Sequence, residues 1–117
     1  MALLSKGQIL DAEDLTTEDV EVPEWGGTVR VRSLTGTERD KFETDMVDKH
    51  GKATKLGDIR ARLAALCMVD AKGQRLFSDA EAHALGKKSG AALERVSSVA
   101  MRLAGLTQED VEDLAGN

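Results

Sequence analysis

A chain of 117 residues with 41% hydrophobic content supports one domain around a single modest core. A net charge of −5, with both signs interspersed and no basic stripe, argues against nonspecific binding to DNA or RNA. Aromatic content of 3%, a single cysteine and no apolar run near about 18 residues exclude an aromatic core, an internal disulfide framework and a spanning helix. Cys67 falls within an apolar helical run and reads as a buried, inert thiol. The first residues do not form a signal-peptide pattern, so the expected compartment is the cytoplasm.

Near the start, Ser5-Lys6-Gly7-Gln8 matches a capping box and predicts a short helix from about Lys6 to Asp11, with Leu4 and Ile9 spaced as a hydrophobic staple. Ala12 to Glu18 is acidic and turn-rich, a partly irregular lead-in. Asp19–Val22 and Thr28–Arg32 then alternate around Pro23-Glu24-Trp25-Gly26-Gly27, the pattern of a β-hairpin. Val20, Val22, Val29 and Val31 share one face in that register. Asp19 and Glu21 then share the other face with Arg30 and Arg32, where opposite charges across a strand pair contribute about 0.2–1 kcal/mol each. An isolated hairpin is marginal in water, so this one needs helices on its valine face and has at least one open strand edge.

The remainder supplies helices. Thr35-Gly36-Thr37-Glu38 is a second capping box opening a helix from about Gly36 to Asp48, held by Phe42 and Met46. Residues 48–57 read as a mobile surface loop. Asp58 is positioned to cap a helix running through Val69, with Ile59, Leu63, Leu66 and Cys67 as its stripe and alanines that allow close approach. Asp70 to Gly73 is a turn, Arg75 to Phe77 a short extended piece, and Ser78-Asp79-Ala80-Glu81 a third capping box for a short helix to about Leu85. Ala91 to Gly105 is the longest amphipathic run, with Leu93, Val96, Ala100 and Leu103 inward and Glu94, Ser98 and Arg102 outward. Thr107 caps a last short helix containing Val111 and Leu114. The fold class that follows is α+β, mainly α: an N-terminal hairpin packed on four to five helices in one domain over residues 1–117.

Reactive constellations do not emerge. His50 and His83 are far apart in the chain and not at metal-ligand spacing from Cys67. Lys72 occupies a position where a calcium loop needs oxygen, and Gly86-Lys87-Lys88-Ser89 follows a helix rather than a strand and lacks the upstream glycine of a phosphate loop. No nucleophile, base and orienter can be assembled, so no catalytic, metal or cofactor-binding residue is assigned.

Val22 to Gly27 running into Val29-Arg30-Val31-Arg32, then Leu34 to Asp40, Arg62 to Asp70 with the Asp70-Ala71-Lys72-Gly73 turn, Arg75 to Asp79 and the closing Asp113 to Asn117 together resemble the tail assembly chaperones of long-tailed bacteriophages and prophages. The resemblance covers the chain from about Leu4 to Asn117, with Val22 to Phe42 its most specific stretch. It implies a non-enzymatic protein of the host cytoplasm that coats the tape-measure protein, keeps it soluble, hands it to tail-tube subunits and is absent from the finished particle. In that family the frame is often extended near its end by a programmed ribosomal frameshift. Self-association is expected, with no nucleic-acid or membrane partner. The expected partner-binding residues are Trp25, Val29, Arg30, Val31, Arg32 and Phe42. Trp25 reads either as an interface anchor or as a lid over the core, and Arg30 and Arg32 either contact an acidic partner or pair with Asp19 and Glu21. A minor or tail-completion protein retained in the virion is the alternative function, and a small DNA-binding regulator is a third that the charge disfavours.

Overall fold

The computed structural model describes residues 2–45 and 58–105. The predicted Met46, the loop at 48–57, His50 and the final helix around Val111 and Leu114 lie outside the described residues. Within them the order is α1 (Lys6–Asp11), β1 (Thr17–Val22), β2 (Gly27–Arg32), α2 (Gly36–Asp45), α3 (Ile59–Cys67), β3 (Met68–Val69), α4 (Ala82–Leu85) and α5 (Gly90–Leu103). The fold is α+β, mainly α.

The hairpin forms with its valines on one face, as their alternation predicts. Val20 faces Val29 and Asp19 faces Arg30 across the β1–β2 pair. Val22 and Val31 are buried, while Val20 and Val29 flank them at the core margin. β1 starts at Thr17, two positions before the predicted strand, because Ser33 and Thr16 extend the pairing: the Ser33 N–H donates to the Thr16 carbonyl at 2.8 Å and the Thr16 N–H to Ser33 Oγ at 3.0 Å.

The sheet has three strands, not two. The helix predicted through Val69 ends at Cys67, where Met68 turns to extended backbone, and Met68 and Val69 pair antiparallel with Val31 and Arg30. The local apolar stripe favours continuing the helix; the open edge of β2 offers hydrogen bonds and burial that win instead. β2 is therefore central and β1 remains an outer strand.

α5 crosses the valine face and α3 packs beside it. Their contact is narrow because Ala61, Ala64 and Ala65 on α3 meet a face of α5 carrying Ala92, Val96 and Ala100, all buried. Ser97 is also buried on α5, its hydroxyl donating weakly to the Glu94 carbonyl at 3.5 Å. Asp58 does not cap α3 through its side chain. Its backbone is left-handed (φ 64°) and its carboxylate instead meets His83 Nδ1 at 2.9 Å, so His83 is not the unpartnered histidine expected.

The capping boxes predicted at Ser5, Thr35 and Ser78 form, while the cap predicted at Thr107 lies outside the described residues. The Thr35 N–H donates to Glu38 Oε1 at 2.9 Å and the Glu38 N–H to Thr35 Oγ1 at 3.1 Å, closing the box on α2. Ser5 and Gln8 close the same box on α1. Glu81 accepts from the Ser78 N–H at 2.8 Å, beginning the turn that leads into α4. At the Asp70 turn, Asp70 Oδ1 accepts from the N–H groups of Lys72 and Gln74, and Gly73 takes the positive φ of 82° that the tight turn needs. Arg75, just beyond, donates from Nε to the Ala65 carbonyl in the last turn of α3.

Candidate functional site

Two exposed apolar features stand out against this body. The first lies under the hairpin loop. Pro23, Glu24 and Trp25 form one 3₁₀ turn closed by Gly26 at φ 73°, a geometry that Pro at the first position and Gly at the last favour. The turn directs the Trp25 ring onto the core margin. Glu24 is held by Arg95 of α5, whose Nε donates to both carboxylate oxygens at 3.0 and 3.2 Å. That hydrogen bond holds the Glu24 carboxyl below its ordinary range.

Beside this turn is a groove of about 580 Å³ walled by Trp25, Val29, Met68, Leu76, Phe77 and Leu85, with Lys88 on its rim. Its size falls within the range of ligand clefts, about 300–1,000 Å³. Met68 and Leu85 are buried, whereas Leu76 is 48% exposed. The Trp25 indole N–H is sealed from solvent without an acceptor, which favours packing over hydrogen bonding as the purpose of this ring.

The second feature is the N-terminal arm. α1 has no buried residue, and Leu3, Leu4, Ile9 and Leu10 are 97, 69, 56 and 73% exposed. Leu4 and Ile9 occupy staple positions yet both remain open to solvent.

Of the residues predicted to bind a partner, Trp25 and Val29 come together on the groove wall. Arg30 lies on the outer sheet face, its Nε and Nη2 donating to the two Asp19 oxygens at 2.8 and 3.2 Å. This pair lowers the Asp19 carboxyl and raises the Arg30 guanidinium from their usual values. Arg32 does not pair with Glu21. Its partner is Glu38, with Nη2 at 2.7 and 2.8 Å from the two oxygens, because the cap of α2 brings that carboxylate over the end of β2 while Glu21 stands opposite Thr28. Val31 and Phe42 are buried in the core. The groove residues missed from sequence are Glu24, Met68, Leu76, Phe77, Ala84, Leu85 and Lys88. The extended piece predicted over Arg75 to Phe77 is reduced to a bridge between Arg75 and Val69, and the bend that follows places Leu76 and Phe77 together on the groove wall.

The groove offers shape and apolar surface with no nucleophile poised in it. Cys67 lies deep in α3, and burial pushes its thiol up to about 12, which removes thiolate reactivity near neutrality. Among the described residues no three His, Cys, Asp or Glu side chains gather as a metal site, and no helix is long and apolar enough to cross a membrane.

A family model described as phage tail assembly chaperone matches residues 8–117. No curated protein and no solved structure matches the chain. The family match spans the hairpin, the groove and the helical body together, and the chain belongs to the phage tail assembly chaperone family.

Proposed function

We propose that this protein acts without catalysis on the tape-measure protein of a long-tailed, siphovirus-type phage. It binds that chain, keeps it soluble in the host cytoplasm, passes it to tail-tube subunits and leaves before the particle is complete. The observation that carries this reading is the family match over residues 8–117, on a body whose open features are apolar surfaces. A long helical client presents aliphatic stripes, and an apolar groove with a charged rim is the complement such a stripe needs. Trp25 and Val29 are the contact residues on the groove wall. Arg30 and Arg32 set the charge of the neighbouring face, while Val31 and Phe42 support it from within.

Co-expression with the tape-measure protein tests the reading directly. The client should move into the soluble fraction when this chain is present, and equal insolubility with and without it would overturn the proposal. Mass spectrometry of purified particles provides the second arm. High copy number in the tail would instead favour a structural component retained in the virion.

A further inference from the structure

The arm is ordered as a helix by its capping box alone, with no packing against the body. Isolated helices shorter than about 12–15 residues are marginal in water, yet the six-residue α1 buries no side chain against its own body. Four large aliphatic side chains crowded into this short arm and left open mark an interaction surface.

The electrostatics indicate what covers it. On the body, carboxylates are widely paired with cations: Glu18 with Arg102, Asp19 with Arg30, Glu24 with Arg95, Glu94 with Arg60. Asp11, Glu13 and Asp14, which follow the apolar stretch of the arm, have no ion-pair partner among the described residues. Lys88, which lines the groove, has none either, whereas Glu24, the carboxylate that lines it, is already held by Arg95. An arm with four exposed aliphatic side chains and three unpaired carboxylates thus complements an apolar groove whose lining ammonium group, Lys88, is unpaired, and both are parts of the same chain.

Geometry favours docking between copies. Thr17 pairs with Arg32 at one end of the hairpin and Val22 with Gly27 at the other, so the arm begins at the end of the sheet opposite the groove. To reach its own groove, the segment Ala12–Thr16 would have to run back along β1 almost fully extended, since five residues span at most about 17 Å and β1 is about as long. A neighbouring copy imposes no such requirement.

We propose that the N-terminal arm of one copy docks its exposed Leu3, Leu4, Ile9 and Leu10 into the Trp25–Leu76 groove of a second copy, with the carboxylates of Asp11, Glu13 and Asp14 meeting Lys88. Reciprocal exchange of arms closes a dimer, and one-way docking extends a chain of copies. The same groove serves the client in the function proposed above, so an incoming helical segment displaces the arm. The docking itself does not depend on that reading.

The experiment uses the full chain alone, by sedimentation equilibrium, with an arm variant (Ile9→Asp with Leu10→Asp) and a groove variant (Leu76→Asp). Wild type should self-associate. Each variant should weaken association about thirtyfold or more, the size expected when a hot-spot residue is lost. An equimolar mixture should recover a one-to-one pair, because one intact arm then meets one intact groove. Far-UV circular dichroism should match wild type, since Ile9 and Leu10 are mostly exposed and Leu76 is half-exposed at the surface. A monomeric wild type, unchanged association in either variant, or failure of the mixture to pair would each overturn the proposal. No tape-measure protein is present, so these outcomes are separate from those of the co-expression test.

Discussion

The hairpin body and the N-terminal arm are made from the same kinds of residue and end in opposite states. Both carry aliphatic side chains beside carboxylates, and both are entered through well-formed local signals, a cross-strand charge pair in one and a capping box in the other. In the body, Val22 and Val31 are buried beneath α5, and Glu18 and Glu24 are tied to Arg102 and Arg95 on that same helix. In the arm, Leu3, Leu4, Ile9 and Leu10 face solvent. The difference teaches that local pattern decides whether an element forms, while burial requires a complementary face. β1 has that face within its own chain and α1 does not.

The strongest way to break the body side of this comparison is Phe42→Ala. Phe42 is the buried aromatic that anchors α2, and truncation of such a ring costs about 3–5 kcal/mol through lost burial and the cavity left behind. Denaturant unfolding should show the midpoint falling by that equivalent. A change under about 1 kcal/mol would mean that α2 is held by something other than this side chain.

Trp25 sits at the border between the two regimes. Trp25→Ala should destabilise by about 2–3 kcal/mol, less than a fully buried ring, leave far-UV circular dichroism near normal and weaken client binding. Trp25→Phe keeps the ring contact and removes the unpartnered indole N–H, so its stability should stay within about 1 kcal/mol of wild type. Collapse of the fold in Trp25→Ala would identify the ring as a lid over the core.

Much of the body was legible because its signals agree. The alternation of valines specifies the face, and the charges on the other face agree with it; the two-residue choice between pairing Asp19 with Arg30, as found, and pairing it with Arg32 is left to the loop. The capping boxes were legible because they are made within four residues. What escaped was non-local. Leu66, Cys67 and Val69 continue a helical apolar stripe, and nothing near them in sequence announces that Met68 and Val69 will pair with β2. Glu38 reads as a cap, and its second bond to Arg32 appears only once α2 has been placed against the sheet. The candidate site follows the same division. Trp25 and Val29 were visible as hairpin residues, whereas Leu76, Phe77 and Lys88 join them only through β3 and its turn.

Glu38 tests that overlap of local and tertiary roles. Glu38→Ala removes the cap contact to the Thr35 N–H and the half-buried pair with Arg32, for an expected loss of about 1–2 kcal/mol in thermal unfolding. Glu38→Gln, which can still accept from the Thr35 N–H but cannot pair with Arg32 as an ion, should recover part of it. Equal losses in both would assign the whole effect to charge.

Acid provides a smaller test. The Asp79 carboxyl is held below its ordinary value of 3.8 chiefly by the Arg75 hydrogen bond, opposed by partial burial and reinforced by Lys41. A depressed folded-state value stabilises the fold above the unfolded-state value, and that stability is lost as pH falls through the folded one. The pair is substantially exposed, so its worth is below about 1 kcal/mol. Asp79→Asn should therefore be slightly less stable than wild type at neutral pH, with the gap closing once the medium is acid enough to protonate the carboxyl. A gap that persists in strong acid would trace the loss to packing.

The smallest effect should come from the arm, and its smallness is informative. Replacing Ile9 and Leu10 by Ser removes two large aliphatic side chains, a change that in the body would cost several kcal/mol. Here both are more than half exposed and α1 buries nothing, so the folded monomer loses almost no contact. Unfolding measured where the protein is monomeric should shift by no more than about 0.5 kcal/mol. At concentrations where copies associate, wild type should gain stability with concentration and the double variant should not, because binding to the folded state alone raises its stability by mass action. A loss above about 1 kcal/mol in the monomer would place the arm against its own body and dissolve the contrast between the two regions.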